Sequence, residues 1–286
     1  MEHQLWKSIL AELRPLCEKH FDPRQRFSIV EILQVWFWAV VHDRPISWAV
    51  QRRHWPPSLH HVPLPSNSTM CRRLRSRRLQ QVMNLASKRV LRSDEPSLVW
   101  KIDGKPLVIG NASQDRQAGY GPGVSGQAKG YKLHLILGTS GQIPDWRVAP
   151  MNKDERVMAE RMISQSTLQG YLTGDGQYDT TTLHRLCDSQ GSLQLVSPRR
   201  KNYRGRPVSK RHSPPGRLRS IELLEGPGVF GLKLLHSRSD IERYFGRLSS
   251  CHAGLNYLPP WVRGHRRVHR WVQAKLMLLM KRPLAA

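Results

Sequence analysis

Acidic side chains are scarce in this chain: 21 Asp and Glu stand against 46 Lys and Arg in 286 residues, a formal charge of +25. Such a charge leaves the fold open but narrows the partners to polyanions, of which nucleic acid is the commonest inside a cell. Cysteine is scarce too, and Cys17, Cys71, Cys187 and Cys251 form no Cys-x-x-Cys pair. That argues against a disulfide scaffold or a thiolate zinc site and fits a reduced, intracellular chain. Long apolar runs are missing: the longest, Val35–Val41, has seven residues, where a bilayer span needs about 20. Met1–Leu5 shows no basic flank leading into an apolar stretch, so no secretion signal and no membrane partner are expected. There is no Gly-x4-Gly-Lys-Ser/Thr phosphate loop, although five glycines lie between Gly119 and Gly130; that stretch is expected to be a hairpin loop. Internal repeats and extended low-complexity tracts are absent as well. With 39% apolar residues the chain has material for a packed core, and its length allows two domains.

The positive charge is clustered. Residues 71–92 hold eight Lys or Arg, residues 197–220 nine and residues 261–282 seven, each stretch without an acid. Neutralising phosphates with such clusters releases counterions and gives strong, salt-dependent affinity.

Residues 1–92 read as a helical DNA-binding region. Leu5, Ile9, Leu13 and Leu16 share one face of a first helix that Pro15 is expected to kink. Ser28 and Glu31 have capping-box spacing ahead of an apolar helix, Ile29–Val41. Ile46–Trp55 and Ser68–Val90 are expected as a third and fourth helix around a Pro-rich linker. The fourth presents Arg72, Arg73, Arg75, Arg77 and Arg78 after a turn and a short helix, a pattern that suits a helix-turn-helix entering a DNA groove. Four of the tryptophans, Trp36, Trp38, Trp48 and Trp55, together with Trp271, read as packing residues.

Ser93–Pro96 marks a boundary, and residues 93–286 read as a second, α/β domain with a mixed sheet covered by helices. Strands are expected at Leu98–Ile102, Pro106–Ile109, Tyr131–Leu137, Ile143–Val148, Tyr171–Thr173, Leu193–Val196 and Leu232–Leu235. Helices are expected at Asp154–Thr167, Thr180–Ser189, Asp240–Cys251 and Gly264–Met280, with a basic loop over 197–220. His265 and His269 lie four apart but lack an evident third ligand, so they read as DNA-facing or structural.

In so basic a chain the acids are informative. Asp103 is expected at the end of the first strand, Asp175 at the end of a later one, each next to glycine, and Glu242 on a helix beside the apolar face Ile241, Phe245, Leu248. If that helix crosses the sheet, three carboxylates converge. Converging carboxylates repel unless a cation joins them, and Mg2+ is the hard ion that favours oxygen ligands. Two such ions about 4 Å apart can activate an attacking oxygen and stabilise a leaving one at a phosphodiester. Asp179 is read as the cap of the following helix, and Glu222 and Glu225 as lesser rivals of Glu242 that lack a helix to orient them.

These residues carry a family resemblance. Ile102-Asp103-Gly104-Lys105-Pro106-Leu107, Lys129-Gly130-Tyr131-Lys132-Leu133-His134, Asp175-Gly176-Gln177-Tyr178-Asp179 and Arg238-x3-Glu242-x2-Phe245-Gly246-Arg247-Leu248 occur in that order. Together they resemble the DDE transposases of bacterial insertion sequences over residues 98–280. The resemblance implies a ribonuclease H-like catalytic domain in which Asp103, Asp175 and Glu242 bind two Mg2+ ions, with Mn2+ as a substitute. It implies cleavage of double-stranded DNA at the terminal inverted repeats of an element and joining of the 3′-OH to target DNA by a homodimer. A cytoplasmic, nucleoid-associated bacterial protein is the corresponding location. The DNA backbone would be held by Lys132, Arg199, Arg200, Lys201, Arg238 and Arg247 alongside the arginines of residues 72–78. Leu235 stands where the family often has Tyr, and Ser249 where it often has Lys; Lys233 or Arg247 is the candidate substitute. The alternative is a DNA-binding protein derived from a transposase that no longer catalyses.

Overall fold

A computed structural model describes residues 2–19, 24–92, 95–123, 126–203, 205–250 and 254–282. The chain forms two compact units, one of Met1–Arg92 with Leu248–Ala286, the other of Ser93–Arg247. Residues 93–286 are expected as one domain; the structure instead gives the stretch from Leu248 onward to the helical unit. Residues 93 and 94 of the expected boundary, and Cys251, lie outside the described residues.

The helical unit is built from α1 (Glu2–Glu18), α2 (Ile29–Val41), α3 (Ile46–Ala49), α4 (Asn67–Arg73), α5 (Arg77–Leu91) and a returning helix, α11 (His265–Met280). Ser28 and Glu31 form the expected capping box of α2, and nearly every side chain of that helix is buried, as an all-round apolar helix must be. α1 contains Pro15 and turns Leu5, Ile9, Leu13 and Cys17 inward. The helix expected over Ile46–Trp55 stops at Ala49, and a 3-10 turn follows at Arg52–His54. Doubling back here lets Trp55 donate its indole N–H to the Ala49 carbonyl at 2.7 Å and stack on Trp38, with ring centres 4.7 Å apart.

The helix expected over Ser68–Val90 is two helices. Ser66, not Ser68 or Thr69, caps α4 by accepting from the Thr69 N–H, and Ser76 caps α5 by accepting from the Leu79 N–H. A serine whose oxygen satisfies an orphan N–H starts a new helix here. The five arginines therefore straddle a helix–turn–helix junction instead of lining one helix. α11 packs on α1, α2 and α5; its Lys275 is buried, 2.7 Å from Asp43 and 2.9 Å from the Val40 carbonyl.

The second unit is α/β. Its strands are β1 (Val99–Val108), β2 (Gly119–Gly123), β3 (Gly126–Gly138), β4 (Trp146–Pro150), β5 (Gly170–Thr173) and β6 (Leu193–Val196). The sheet order is β2-β3-β1-β5-β6, with β4 also paired to β3. β3 is antiparallel to β1, while β5 and β6 run parallel to β1. The mixed sheet is the α/β class expected for this part of the chain. Its helices are α6 (Glu155–Ile163), α7 (Thr181–Gln190), α8 (Pro215–Glu225), α9 (Phe230–His236) and α10 (Ser239–Ser250). α6 and α7 cover one face, where Met162, Ile163, Leu183 and Cys187 pack on Trp100, Ile102, Ile136, Leu172 and Leu195.

Several elements differ from expectation. The two strands expected over residues 98–109 are one, because β3 pairs with β1 without interruption from Trp100 to Val108, through Gly104 and Pro106. The glycine-rich stretch expected as a loop supplies β2 and the start of β3, whose backbones pair Gly119 with Gly130. Glycine is required there: a Cβ on Gly130 would lie 2.3 Å from the Leu107 carbonyl oxygen. Part of the expected basic loop is helical, since α8 begins at Pro215. Leu232–Leu235, expected as a strand, lies within α9.

Candidate active site

β1 and β5 place the first two acids. Lys101 is in register with Thr173, and two residues further along each chain come Asp103 and Asp175. β5 ends at Thr173 while β1 continues, so Asp103 is mid-strand, not at a strand end as expected, but it lies beside the edge where its neighbour stops. Thr173 Oγ1 donates to the Trp100 carbonyl at 3.2 Å and Ser197 Oγ to the Asp175 carbonyl at 2.6 Å, which fixes the β5 terminus. Gly174 has no room for a side chain, because a Cβ there would meet the Tyr178 ring at 2.7 Å.

Each carboxylate accepts one local backbone N–H: Asp103 Oδ1 from Gly104 at 2.7 Å, Asp175 Oδ1 from Gln177 at 2.8 Å. Burial pushes Asp103 up to about 6 against that Gly104 bond, and the negative charges of Asp175 and Glu155 push the same way while Arg238 opposes them. Asp175 is raised for the same leading reason, burial, with Glu155 adding to it. A cluster of carboxylates that resists ionisation in this way is a place where added positive charge is favourable.

Glu155, at the start of α6, was not a candidate in the sequence. It forms an ion pair with buried Lys132 at 2.5 Å and lies 3.5 Å from the Tyr178 hydroxyl. Tyr178 itself is held well above its usual range, first by burial and then by Glu155. The available signal was the Asp154-Glu155 pair, two acids together in a chain poor in them. Asp154 turns out to be the N-cap of α6.

Glu242 reaches the site through Arg238. The guanidinium donates Nη2 to Glu242 Oε1 at 2.5 Å, and its Nη1 stands 3.9 Å from Asp103 Oδ2. One turn along α10 is thus linked to β1 by a single cation. A second link runs parallel to it: fully buried Lys101 lies 3.2 Å from Asp240 Oδ2. Among the described residues, no three Asp, Glu, His or Cys side chains are close enough together to hold a metal ion. Asp103 and Asp175 are neighbours; Glu242 is turned to Arg238.

The other candidates distribute as follows. Asp179 does not cap α7; Thr180 does, by accepting from the Leu183 N–H at 3.2 Å. Asp179 is instead buried, receiving Arg217 at 2.7 and 3.0 Å with His184 3.4 Å away. Glu222 and Glu225 do lie on a helix, α8, and Glu225 sits 3.6 Å from Arg199. Arg199 is buried and also donates to the Arg206 carbonyl, so it braces the segment after β6. Arg200 reaches the Gln177 carbonyl at 3.5 Å, beside Asp175. Lys201 and Arg247 are exposed, as are Arg72, Arg75 and Arg77, with Arg73 and Arg78 half-buried. A cavity of about 820 Å3 lined by Gly170, Leu193 and Arg219 opens at the opposite ends of β5 and β6, away from the acids.

A family model described as a transposase DDE domain matches residues 96–280. The chain belongs to that family. The matched span of this DDE-family chain includes Asp103, Asp175, Glu155, Arg238 and Glu242. Among solved structures, it is similar to the piggyBac transposase in a synaptic complex with hairpin DNA, with a TM-score of 0.38 and 12% identity. That similarity covers 74% of this chain and 52% of the other, so this chain spans about half the length of that transposase. No curated protein matches it. Among the described residues, no helix is long and apolar enough to cross a membrane.

Proposed function

We propose that this protein is a transposase that cuts double-stranded DNA at the ends of its element and joins the freed 3′-OH to target DNA. The observation that carries the reading is that Asp103 and Asp175 lie on adjacent strands where β5 ends, in a DDE-family chain, with Glu242 tethered to Asp103 through Arg238. Asp103 and Asp175 would be the first ligands of divalent metal, and Asp103, raised first by burial and then by the charges of Asp175 and Glu155, would be favoured by added positive charge. Glu242 would complete the set after exchanging Arg238 for the metal. Bound Mg2+, or Mn2+ in its place, supplies Lewis-acid activation of the attacking oxygen and stabilisation of the leaving one.

The chain's own residues then have distinct tasks. Asp103 and Asp175 would keep their second oxygens for the site by giving one oxygen each to a local N–H. Lys132 and Glu155 neutralise one another beside them. Arg238, released from Glu242, would hold a DNA phosphate, and Arg200, Lys201 and Arg247 would continue that positive track. The α4–α5 junction, as a helix-turn-helix, would read the terminal repeats, and two copies would bring two ends together, all on chromosomal DNA in the cytoplasm.

The test is cleavage of DNA carrying the element's ends in the presence of Mg2+. Asp103→Asn and Asp175→Asn should each reduce cleavage by at least roughly a thousandfold, the size of a lost transition-state charge contact, with DNA binding retained. Undiminished cleavage in either variant would sink the assignment. One observation favours a second reading, a DNA binder without catalysis: Glu242 is engaged by Arg238. On that reading the wild type binds end DNA with a steep salt dependence and yields no product.

A further inference from the structure

The helical unit holds a positive cavity that the catalytic reading does not use. It lies among α2, α3, the α4–α5 junction and α11, and its volume is about 190 Å3, that of roughly six waters. Arg270 lies in its wall, 8% exposed. Its Nη1 donates to the Leu74 carbonyl at 2.5 Å and its guanidinium sits 5.7 Å over the Trp36 ring, yet its Nε has no partner. Two further buried donors in the lining, the indole N–H groups of Trp36 and Trp271, have no partner either. Arg44, Arg75 and Arg267 line the same cavity at exposed positions, and among the described residues no carboxylate does. Burial, and then the charges of Arg267 and Arg75, pull Arg270 down to about 10.

A buried guanidinium among like charges, with orphaned donors around it, is costly to maintain unless an anion completes it. Carboxylates would serve, but none is among the described residues that line the cavity. Guanidinium forks match phosphate oxygens well, and indole N–H groups add neutral donors that bind an oxyanion without further charge repulsion.

We propose that this cavity is a phosphate pocket that seats one phosphate of a DNA strand, with Arg270 at its base and Arg267 and Arg75 at its mouth. The phosphate chemistry stands on the cavity itself; only the identity of the strand rests on the function proposed above. Seated there, a phosphate joins α11 to the α4–α5 junction and registers the DNA on the helical unit.

The experiment uses the full chain. Inorganic phosphate is titrated while tryptophan emission is followed, since Trp36, Trp261 and Trp271 all line the cavity. Short duplexes with 5′-hydroxyl or 5′-phosphate ends are then titrated over a range of salt. Arg267→Gln is the first variant because its position is exposed; Arg270→Gln is the second. The wild type should show a saturable emission change with phosphate, weakened about tenfold in Arg267→Gln. For DNA, the slope of log affinity against log salt should fall by about one in Arg267→Gln, the loss of a single phosphate contact. A preference for 5′-phosphate ends assigns the pocket to a strand terminus, and equal binding assigns it to an internal phosphodiester. DNA binding with unchanged affinity and salt slope in Arg267→Gln, together with no emission response to phosphate, would overturn the pocket and leave the proposed function standing. Phosphate binding that depends on Arg267, in a protein that binds no DNA, would instead keep the pocket and remove the DNA reading.

Discussion

Arg238, the residue just before α10, and Glu242, four residues on in its first turn, are joined at 2.5 Å, and the same guanidinium faces Asp103 at 3.9 Å. The one cation is shared between Asp103 and Glu242, two of the carboxylates proposed to hold metal. On the proposed function, metal binding would exchange one positive group for another. Removing a unit charge about 4 Å from a carboxylate changes its interactions by about 1 to 4 kcal/mol near a protein surface. Arg238→Gln should accordingly bind Mg2+ or Mn2+ at least roughly tenfold more tightly by calorimetry. An affinity equal to that of the wild type would mean that Arg238 does not compete with metal.

Asp103→Asn removes a carboxylate that is pressed by its own burial and by Asp175 and Glu155. Without metal at neutral pH, the variant should unfold about 1 to 2 kcal/mol later than the wild type, while losing cleavage. Active sites commonly trade stability for function in this direction. Denaturant midpoints at equal slope would measure it; a variant less stable than the wild type would contradict the electrostatic account.

Glu155→Gln leaves Lys132 buried with its partner's charge gone. Breaking a buried pair by removing one member costs about 3 to 5 kcal/mol, and Glu155 is the more solvent-accessible of the two, so about 3 kcal/mol is expected. Repulsion of Asp103 and Asp175 falls at the same time. The double variant with Lys132→Met should recover much of the loss in an unfolding experiment, which a Glu155 acting alone would not permit.

Asp179 gives the pH dependence of the α/β unit. Burial raises its carboxyl, but His184 and Arg217 together outweigh that and hold it well below the usual range. Its contribution is complete above the unfolded carboxylate value of about 4 and is lost as pH falls through the lower folded value. Asp179→Asn should be about 2 to 4 kcal/mol less stable at pH 7, and the difference should shrink only below about pH 4. Parallel stability curves down to pH 2 would refute this role for the pair.

Asp103 and Asp175 stood out because strand, glycine and carboxylate come together in one short stretch, although Asp103 lies mid-strand rather than at the end of Leu98–Ile102, and α10 because Ile241, Phe245 and Leu248 recur at helical spacing. Glu155 was not legible. Its position depends on α6 starting beside β3, a relation between residues 132 and 155 that no local pattern encodes. The split of the arginine-rich helix was missed because Ser76 looks like an ordinary helical residue until its oxygen is seen on the Leu79 N–H. The expected strand at Leu232–Leu235 failed for the familiar reason that a short apolar run has no period of its own.

The returning helix α11 has a consequence for how the protein is made. Its side chains fill the interior bounded by α1, α2 and α5, so the first-synthesised helices lack part of their packing until the ribosome has read past the whole sheet. At about 5 to 20 residues per second, that leaves them incomplete for roughly ten seconds or more, with the apolar surface of α2 unsheltered on a nascent chain.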